Sequence, residues 1–279
     1  MGSDYDGGDD GGRRRETRWC AVTGGRGFMA RYLVAALLRS GEWRVRVTDL
    51  TPTLVLGPGE TDEILSDALR DGPFEGVDVV FHTAAADPSK NILQLHYKVN
   101  VIGTKNVIDA CKICKVKRLI HTSSSAVVFD GVHGLFGVNE SLPYPEKFPD
   151  AYAQTKAEAE KLVIKANGIN DLLTCCLRPG SIFGSGDIMI PTLDRYGWTH
   201  ITIGDGKNWD DFVYVENVVH GHLCADKTLS TIEGQEQVEE KYAYFITNME
   251  PMNMWTSHIL FKKNLDTKGV HSMLSMFGP

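Results

Sequence analysis

The stretch Thr23-Gly24-Gly25-Arg26-Gly27-Phe28-Met29-Ala30 limits what this chain can fold into more than any other. It follows an apolar run of strand length, WCAVT (19–23), and opens a segment of helical period (27–40) that closes on Ser40-Gly41. In that setting Gly24 permits a tight turn, Gly27 lets the backbone approach a diphosphate, and Ala30 lets helix and strand pack closely. A diphosphate placed there meets free N–H groups and the positive end of the helix dipole. Asp49 closes the next strand-like run, WRVRVTD. A carboxylate at that strand end accepts hydrogen bonds from adenosine ribose hydroxyls and repels a 2′-phosphate, which favours NAD over NADP. Arg26 is the counter-signal, because a guanidinium in the loop suits a 2′-phosphate.

From Arg18 onward, short apolar runs alternate with longer segments of helical period. The runs WCAVT, WRVRV (43–47), VDVVFH (77–82), RLIHT (118–122) and LLTCCL (172–177) read as strands, and 27–40, 91–115 and 151–167 read as helices. This alternation predicts a doubly wound α/β fold with a parallel sheet covered on both faces. The expected division is a disordered tail over 1–17, whose Gly, Asp and Arg content cannot offset its ordering entropy. A dinucleotide-binding domain over 18–185 and a partial substrate-binding region over 186–279 follow. In the last part DFVYVENVVHGHLCA (211–225) predicts a strand running into a helix, and YAYFIT (242–247) a further strand.

Charge and composition narrow the function classes. The 279 residues carry a formal net charge of −7, a poor match for nucleic acid. No apolar run approaches the roughly 18 residues that cross a bilayer, and no signal-peptide layout is present. The six cysteines, Cys20, Cys111, Cys114, Cys175, Cys176 and Cys224, lie in apolar segments and read as buried thiols of a reducing compartment. Cys111 and Cys114 have redox spacing near a helix end rather than after a strand, which favours plain thiols. His220 and His222 lack a third ligand nearby, so no metal is expected. Lys112, Lys115, Lys117 and Arg118 read as a solvated helix end.

The second informative motif is Tyr152-Ala-Gln-Thr-Lys156, which puts a phenol and an ammonium on one helix face. A nearby ammonium favours phenolate, so Lys156 is expected to lower the pKa of Tyr152. A phenol tuned in this way takes the proton from an alcohol as hydride leaves. Upstream, Thr122-Ser123-Ser124-Ser125 ends a strand, where a serine can orient the reacting oxygen; residue type alone leaves Ser123, Ser124 and Ser125 open.

Together with VVFHTAA (79–85), VNVIGTKNVIDAC (99–111), LIHTSSSAVVFDG (119–131) and LRPGSIFGSGD (177–187), these motifs resemble an extended short-chain dehydrogenase/reductase of Rossmann type. FDGVHG (129–134), ESLPYP (140–145), IGDGKNWDDFVYVENVVHGH (203–222) and YFITNMEPM (244–252) are similar to the 3β-hydroxysteroid dehydrogenase branch, particularly its plant C4-decarboxylating members. The resemblance covers about 18–254. It implies Tyr152 as acid/base, Lys156 as its partner and ribose ligand, and Ser124 as the serine on the substrate oxygen. Gly24, Gly25, Gly27, Phe28, Asp49, Ala84, Pro179 and Ile182 would bind NAD, with Asn100 a structural amide. The implied reaction is NAD-dependent oxidation of the 3β-hydroxyl of a 4-carboxysterol to the ketone with loss of CO₂. The resemblance further implies a sterol as small-molecule partner, allows a homodimer, and places the protein at the endoplasmic reticulum surface, or in the cytosol if a missing anchor is required. Apolar and aromatic content around Trp198, Trp209, Phe212 and Tyr214 leans toward a sterol site. Alternatives are a catalytically impaired binding isoform, or a relative acting on a nucleotide sugar or another carbonyl.

Three stretches depart from the family: a short interval over 50–78, a shortened 187–206, and the sequence after Trp255. They suggest a splice or gene-model variant. A helix near 61–70 leaves little room for the family's third strand, for which TLVL (53–56) is a weak substitute.

Overall fold

The computed structural model describes residues 18–49, 74–187, 205–231 and 242–254. Among them the central sheet has six parallel strands in the order β2-β1-β3-β4-β5-β9. These are β1 (Arg18–Thr23), β2 (Trp43–Thr48), β3 (Val79–His82), β4 (Arg118–Thr122), β5 (Leu173–Pro179) and β9 (Ala243–Ile246). The strands and helices expected from apolar periodicity are all present, with ends moved by a residue or two. The expectations for 1–17, 53–56, 61–70 and Trp198 lie outside the described residues.

The inner strands are buried on both faces because they carry apolar residues at most positions, as crossover connections demand, whereas the edge strand β2 alternates and leaves Arg44 exposed. On one face Val22, Val45, Phe81, Ile120 and Leu177 meet α1 (Phe28–Arg39) and a helix over Val215–Leu229. On the other, Ala21, Val80, Leu119 and Cys176 meet the helices of 93–113 and 151–166. Cys175 and Cys176 point to opposite cores, as alternation requires. Full burial of Leu33, Leu37 and Phe81 contributes about 1.5–3 kcal/mol each.

The predicted helix over 91–115 is built in three pieces: α2 (Leu93–His96), a π-helical stretch over Tyr97–Ile102, and α3 (Gly103–Ile113). The wider turn turns Asn100 inward. Its Oδ1 accepts the Ala86 N–H at 2.8 Å, and its amide donates to Thr155 Oγ1 at 3.0 Å. Asn100 therefore ties the loop after β3 to α4 (Ala151–Ala166).

Beyond β5 the chain turns into β6 (Ser181–Phe183), which pairs with β8 (Phe212–Tyr214) and leads into α5 (Val215–Leu229). The approach is close: a Cβ on Gly180 would lie 2.2 Å from the Asp211 carbonyl oxygen. The two-residue strands β7 (Trp209–Asp210) and β10 (Met252–Asn253) pair antiparallel.

Three sequence readings need correction. Arg118 is not a solvated end residue: it is buried, and its Nε donates to Asp226 Oδ1 at 2.6 Å, a partner on α5 far along the chain. Cys224 is exposed and lies 3.3 Å from His220 Nε2, and Cys114 is half-buried, so not every thiol is interior. Phe212 and Tyr214 are buried in the main core, so they fill the fold rather than line a sterol cavity. Trp209, by contrast, is exposed.

Candidate active site

The glycine turn is tight at both ends. Gly24 donates to the Thr48 carbonyl at 2.7 Å, and Gly27 donates to the Gly24 carbonyl at 2.9 Å. Gly24 has φ +66°, and a Cβ on it would lie 2.7 Å from Ala84 Cα; a Cβ on Gly25 would lie 2.6 Å from Val47 Cγ1. α1 then begins after Gly27 with no side-chain cap and no acidic residue in its first turn. Its leading N–H groups point out of the helix end without intrahelical acceptors. Such an end, beside a backbone that excludes side chains, can hold a diphosphate.

Asp49, just past β2, is exposed, and its Oδ2 accepts the Arg26 N–H at 3.2 Å. The carboxylate thus braces the loop from the end of β2. Phe28 packs edge-on against Tyr32 at 5.8 Å, and Tyr32 donates to the Ser185 carbonyl at 2.7 Å, so α1 is tied to the segment after β6. Ala84 backs Gly24, Pro179 is buried at the end of β5, and Ile182 packs on the main core. All of these lie at or just beyond the C-terminal ends of the parallel strands, where ligands of open α/β sheets bind.

α4 brings in the phenol and the ammonium. Asp150 caps it by accepting the Ala153 N–H at 2.7 Å, which starts the helix one residue before Tyr152's turn. Ser124 leads into a short 3₁₀ turn over Ser125–Val128, its Oγ accepting the Ala126 N–H at 3.2 Å. Ser124 also stands beside the Tyr152 phenol, where its hydrogen bonding favours the ionised form. Of the three candidate serines this is the one on the phenol. Ser123 is buried, and its hydroxyl has no protein partner.

Burial pushes the Tyr152 phenol above its usual range; the Ser124 bond opposes this, and the Asp150 carboxylate reinforces it. The ammonium of the next turn goes to the strand: Lys156 is buried, and its Nζ donates to the Thr122 carbonyl at 2.6 Å. Burial brings the Lys156 pKa down to about 8.

Sequence reasoning missed three residues here. His96, fully buried on α2, presents its ring edge-on to Tyr152 at 6.0 Å. Thr122 at the end of β4 holds Lys156, and His222 on α5 meets Thr122 from the opposite face of the sheet. Thr122 had a signal as the start of the serine run, and His222 only as one of a histidine pair set aside as a metal site.

Among the described residues, no His, Cys, Asp or Glu cluster has the form of a metal site, and no helix is long and apolar enough to cross a membrane. The fold is shared with solved nucleotide-sugar epimerases. A UDP-glucuronic acid 4-epimerase from Bacillus cereus in complex with NAD aligns with TM-score 0.70 at 21% identity, covering 90% of this chain and 85% of that one. A UDP-galactose 4-epimerase aligns with TM-score 0.69 at 22% identity, covering 90% and 84%. In sequence, the chain is 53% identical over 261 residues to 3beta-hydroxysteroid-dehydrogenase/decarboxylase isoform 1 of Arabidopsis thaliana, covering 85% of this chain and 59% of that protein. It is 40% identical over 275 residues to a human protein named sterol-4-alpha-carboxylate 3-dehydrogenase, decarboxylating, covering 92% and 70%. The chain thus spans only about half to three fifths of the length of the Arabidopsis relatives. The model of the 3-beta hydroxysteroid dehydrogenase/isomerase family matches residues 21–276, and the chain belongs to that family.

Proposed function

We propose that this chain oxidises the 3β-hydroxyl of a 4-carboxysterol with NAD and releases the 4-carboxyl group as CO₂. The observation that carries the reading is the placement of Ser124 beside the Tyr152 phenol, with Lys156 one turn further along the same helix, at the strand ends where the glycine turn also opens. NAD, when bound, supplies the hydride acceptor; Gly24, Gly25, Gly27 and Phe28 would hold its diphosphate side, Asp49 its adenosine ribose, and Ala84, Pro179, Ile182 and Lys156 its nicotinamide side.

The substrate alcohol loses its C3 hydrogen as hydride, and its hydroxyl proton passes to the Tyr152 phenolate. Ser124 holds the same oxygen and orients it. The product is a β-keto acid, whose carbonyl receives the electron pair when the C4–carboxyl bond breaks. Tyr152, now protonated, and Ser124 stabilise the enolate oxygen, and protonation at C4 completes the ketone. A sterol substrate places the protein against a sterol-bearing membrane, with the endoplasmic reticulum surface as the site we favour. A homodimer belongs to the same reading, supported by exposed Leu93, Tyr97 and Ile102 along one helical stretch, with exposed Ile92 just before its start.

Incubation with NAD and a 4-carboxysterol should release NADH and CO₂ in equal amounts. A folded sample yielding neither overturns the proposal.

A further inference from the structure

The carbonyl that holds Lys156 belongs to a residue that is itself held from the opposite face of the sheet. Thr122 ends β4, and its side chain points away from α4, toward α5. There its Oγ1 lies 2.7 Å from His222 Nε2, and His222 Nδ1 lies 2.7 Å from the Val218 carbonyl one turn earlier. A carbonyl only accepts, so Nδ1 carries the hydrogen, Nε2 accepts, and the Thr122 hydroxyl donates. Every member of this chain of bonds is buried, with His222 fully so.

We propose that His222 is a positioning residue for Lys156, acting through Thr122 to fix the main-chain carbonyl that holds the ammonium. The inference rests on the reading of Lys156 given above. Its physical basis is the cost of the alternative. A polar ring buried on a helix face whose other buried residues are apolar save Asp226, itself paired with Arg118, is expensive unless its hydrogen bonds are made. Here the ring fills both of its hydrogen-bonding positions and leaves Thr122 no rotational freedom. Burial keeps it neutral, with a pKa near 4, so it serves as a steady acceptor rather than a charge. Phe81 closes the other side, its ring centroid 6.4 Å away. Around Lys156 the remaining titratable neighbours are His82 on β3, His121 on β4, Cys176 on β5 and Glu160 on α4 itself. His222 is thus the element of α5 that reaches the reacting groups of α4 through the sheet.

A pure packing role predicts lost stability with Lys156 undisturbed; a positioning role predicts a change at Lys156. Competitive acetylation of the full chain across pH 6–11, read by peptide mass spectrometry, separates the two without cofactor or substrate. The exposed Lys105 and Lys117 serve as internal standards. Thr122→Val keeps the carbonyl and the side-chain shape but removes the hydroxyl, and His222→Ala removes the acceptor. Each should raise Lys156 labelling at pH 8 by about fivefold, the equivalent of one hydrogen bond. The double variant should go no further than either single one, and Thr122→Ser should return the parent profile. Folded Thr122→Val with Lys156 labelling within twofold of the parent overturns the inference, whether or not His222→Ala folds. Failure of the parent to turn over a 4-carboxysterol would instead overturn the functional reading and leave the labelling result to decide this one.

Discussion

The Lys156 ammonium rests on the Thr122 carbonyl at 2.6 Å, while the phenol one helical turn earlier stands beside Ser124. The two reacting side chains of α4 therefore face successive parts of one strand end: Lys156 the last residue of β4, Tyr152 the residue two further on. The spacing of a helix turn and the rise of the strand end are matched, so a shift of either element disturbs both groups.

Tyr152→Phe removes the proton acceptor without changing the ring. Turnover should fall by about 10²–10⁴ while NAD still binds, measured by initial rates and calorimetry. Oxidation uses phenolate, and burial holds the phenol high, so the parent rate should climb as pH rises from 7 to 10. An unchanged rate in Tyr152→Phe would remove the phenol from the reaction.

Lys156→Met should separate stability from activity. Burial lowers the folded pKa of Lys156 to about 8, so between about pH 8 and its unfolded value the unfolded chain holds more protons and parent stability rises with pH. The charge penalty is fully present below pH 8. Lys156→Met escapes it, so urea unfolding at pH 7 should show a variant at least as stable as the parent, with the gap closing toward pH 10. Turnover should be lost throughout. A variant much less stable than the parent at pH 7 would mean that the Thr122 bond outweighs desolvation.

His82, His121 and His222 are buried neutral, with His82 pushed to about 3, His222 to about 4 and His121 well below its usual range, chiefly by burial. His82 is satisfied by Thr23 at 2.6 Å and Thr104 at 2.8 Å, whereas neither ring nitrogen of His121 makes a hydrogen bond of ordinary geometry. Unfolded imidazoles take up protons near pH 6.5, so stability is intact above that value and lost as pH falls. Three such groups give a slope of up to about 4 kcal/mol per pH unit between roughly pH 6 and 4. Urea titrations at pH 7 and 5 should show a steep loss; equal midpoints would contradict neutral burial.

Gly24→Ala should damage the turn itself. Its φ of +66° disfavours an L side chain, and the new methyl would press on Ala84 backbone atoms that cannot rotate away. The expected cost is about 1–3 kcal/mol of stability, together with lost NAD binding. Retained binding would place the diphosphate elsewhere.

Much of this site could be read along the chain because its signals are local. The glycine turn, the Tyr152–Lys156 spacing and the serine run each lie within a few residues, and each sits at the end of an element whose period marks it. The misreadings have one physical source, the distant partner. Arg118 looks solvated beside three lysines, and only the fold brings Asp226 to it from α5. Phe212 and Tyr214 look like pocket residues until β8 is seen to enter the core. Helix spacing puts Lys156 near the phenol in sequence, but the carbonyl that holds it, Thr122, is 34 residues away and gives no sign there. The π-helical stretch at Tyr97–Ile102 is invisible to apolar period, since one extra residue per turn leaves the pattern nearly intact.

Glu160, one turn beyond Lys156 on α4, is fully buried, and both its oxygens accept from Arg178 on β5, the shortest bond 2.6 Å; Tyr144 donates to it at 2.6 Å. Arg178 also lies over the rings of Tyr144 and Phe245, at 5.8 and 5.4 Å. The cluster clamps the C-terminal half of α4 to the sheet edge at β5 and β9 and fixes the loop carrying Tyr144. Glu160→Ala leaves a buried guanidinium without its counter-charge, and the expected loss is about 3–5 kcal/mol. Glu160→Gln keeps shape and one acceptor, so it should cost less. Replacing both partners, as in Glu160→Met with Arg178→Leu, should recover stability relative to Glu160→Ala, because no unpaired charge remains. Urea unfolding of the three variants decides it: if the double variant is less stable than Glu160→Ala, the pair contributes net stability that apolar packing does not replace.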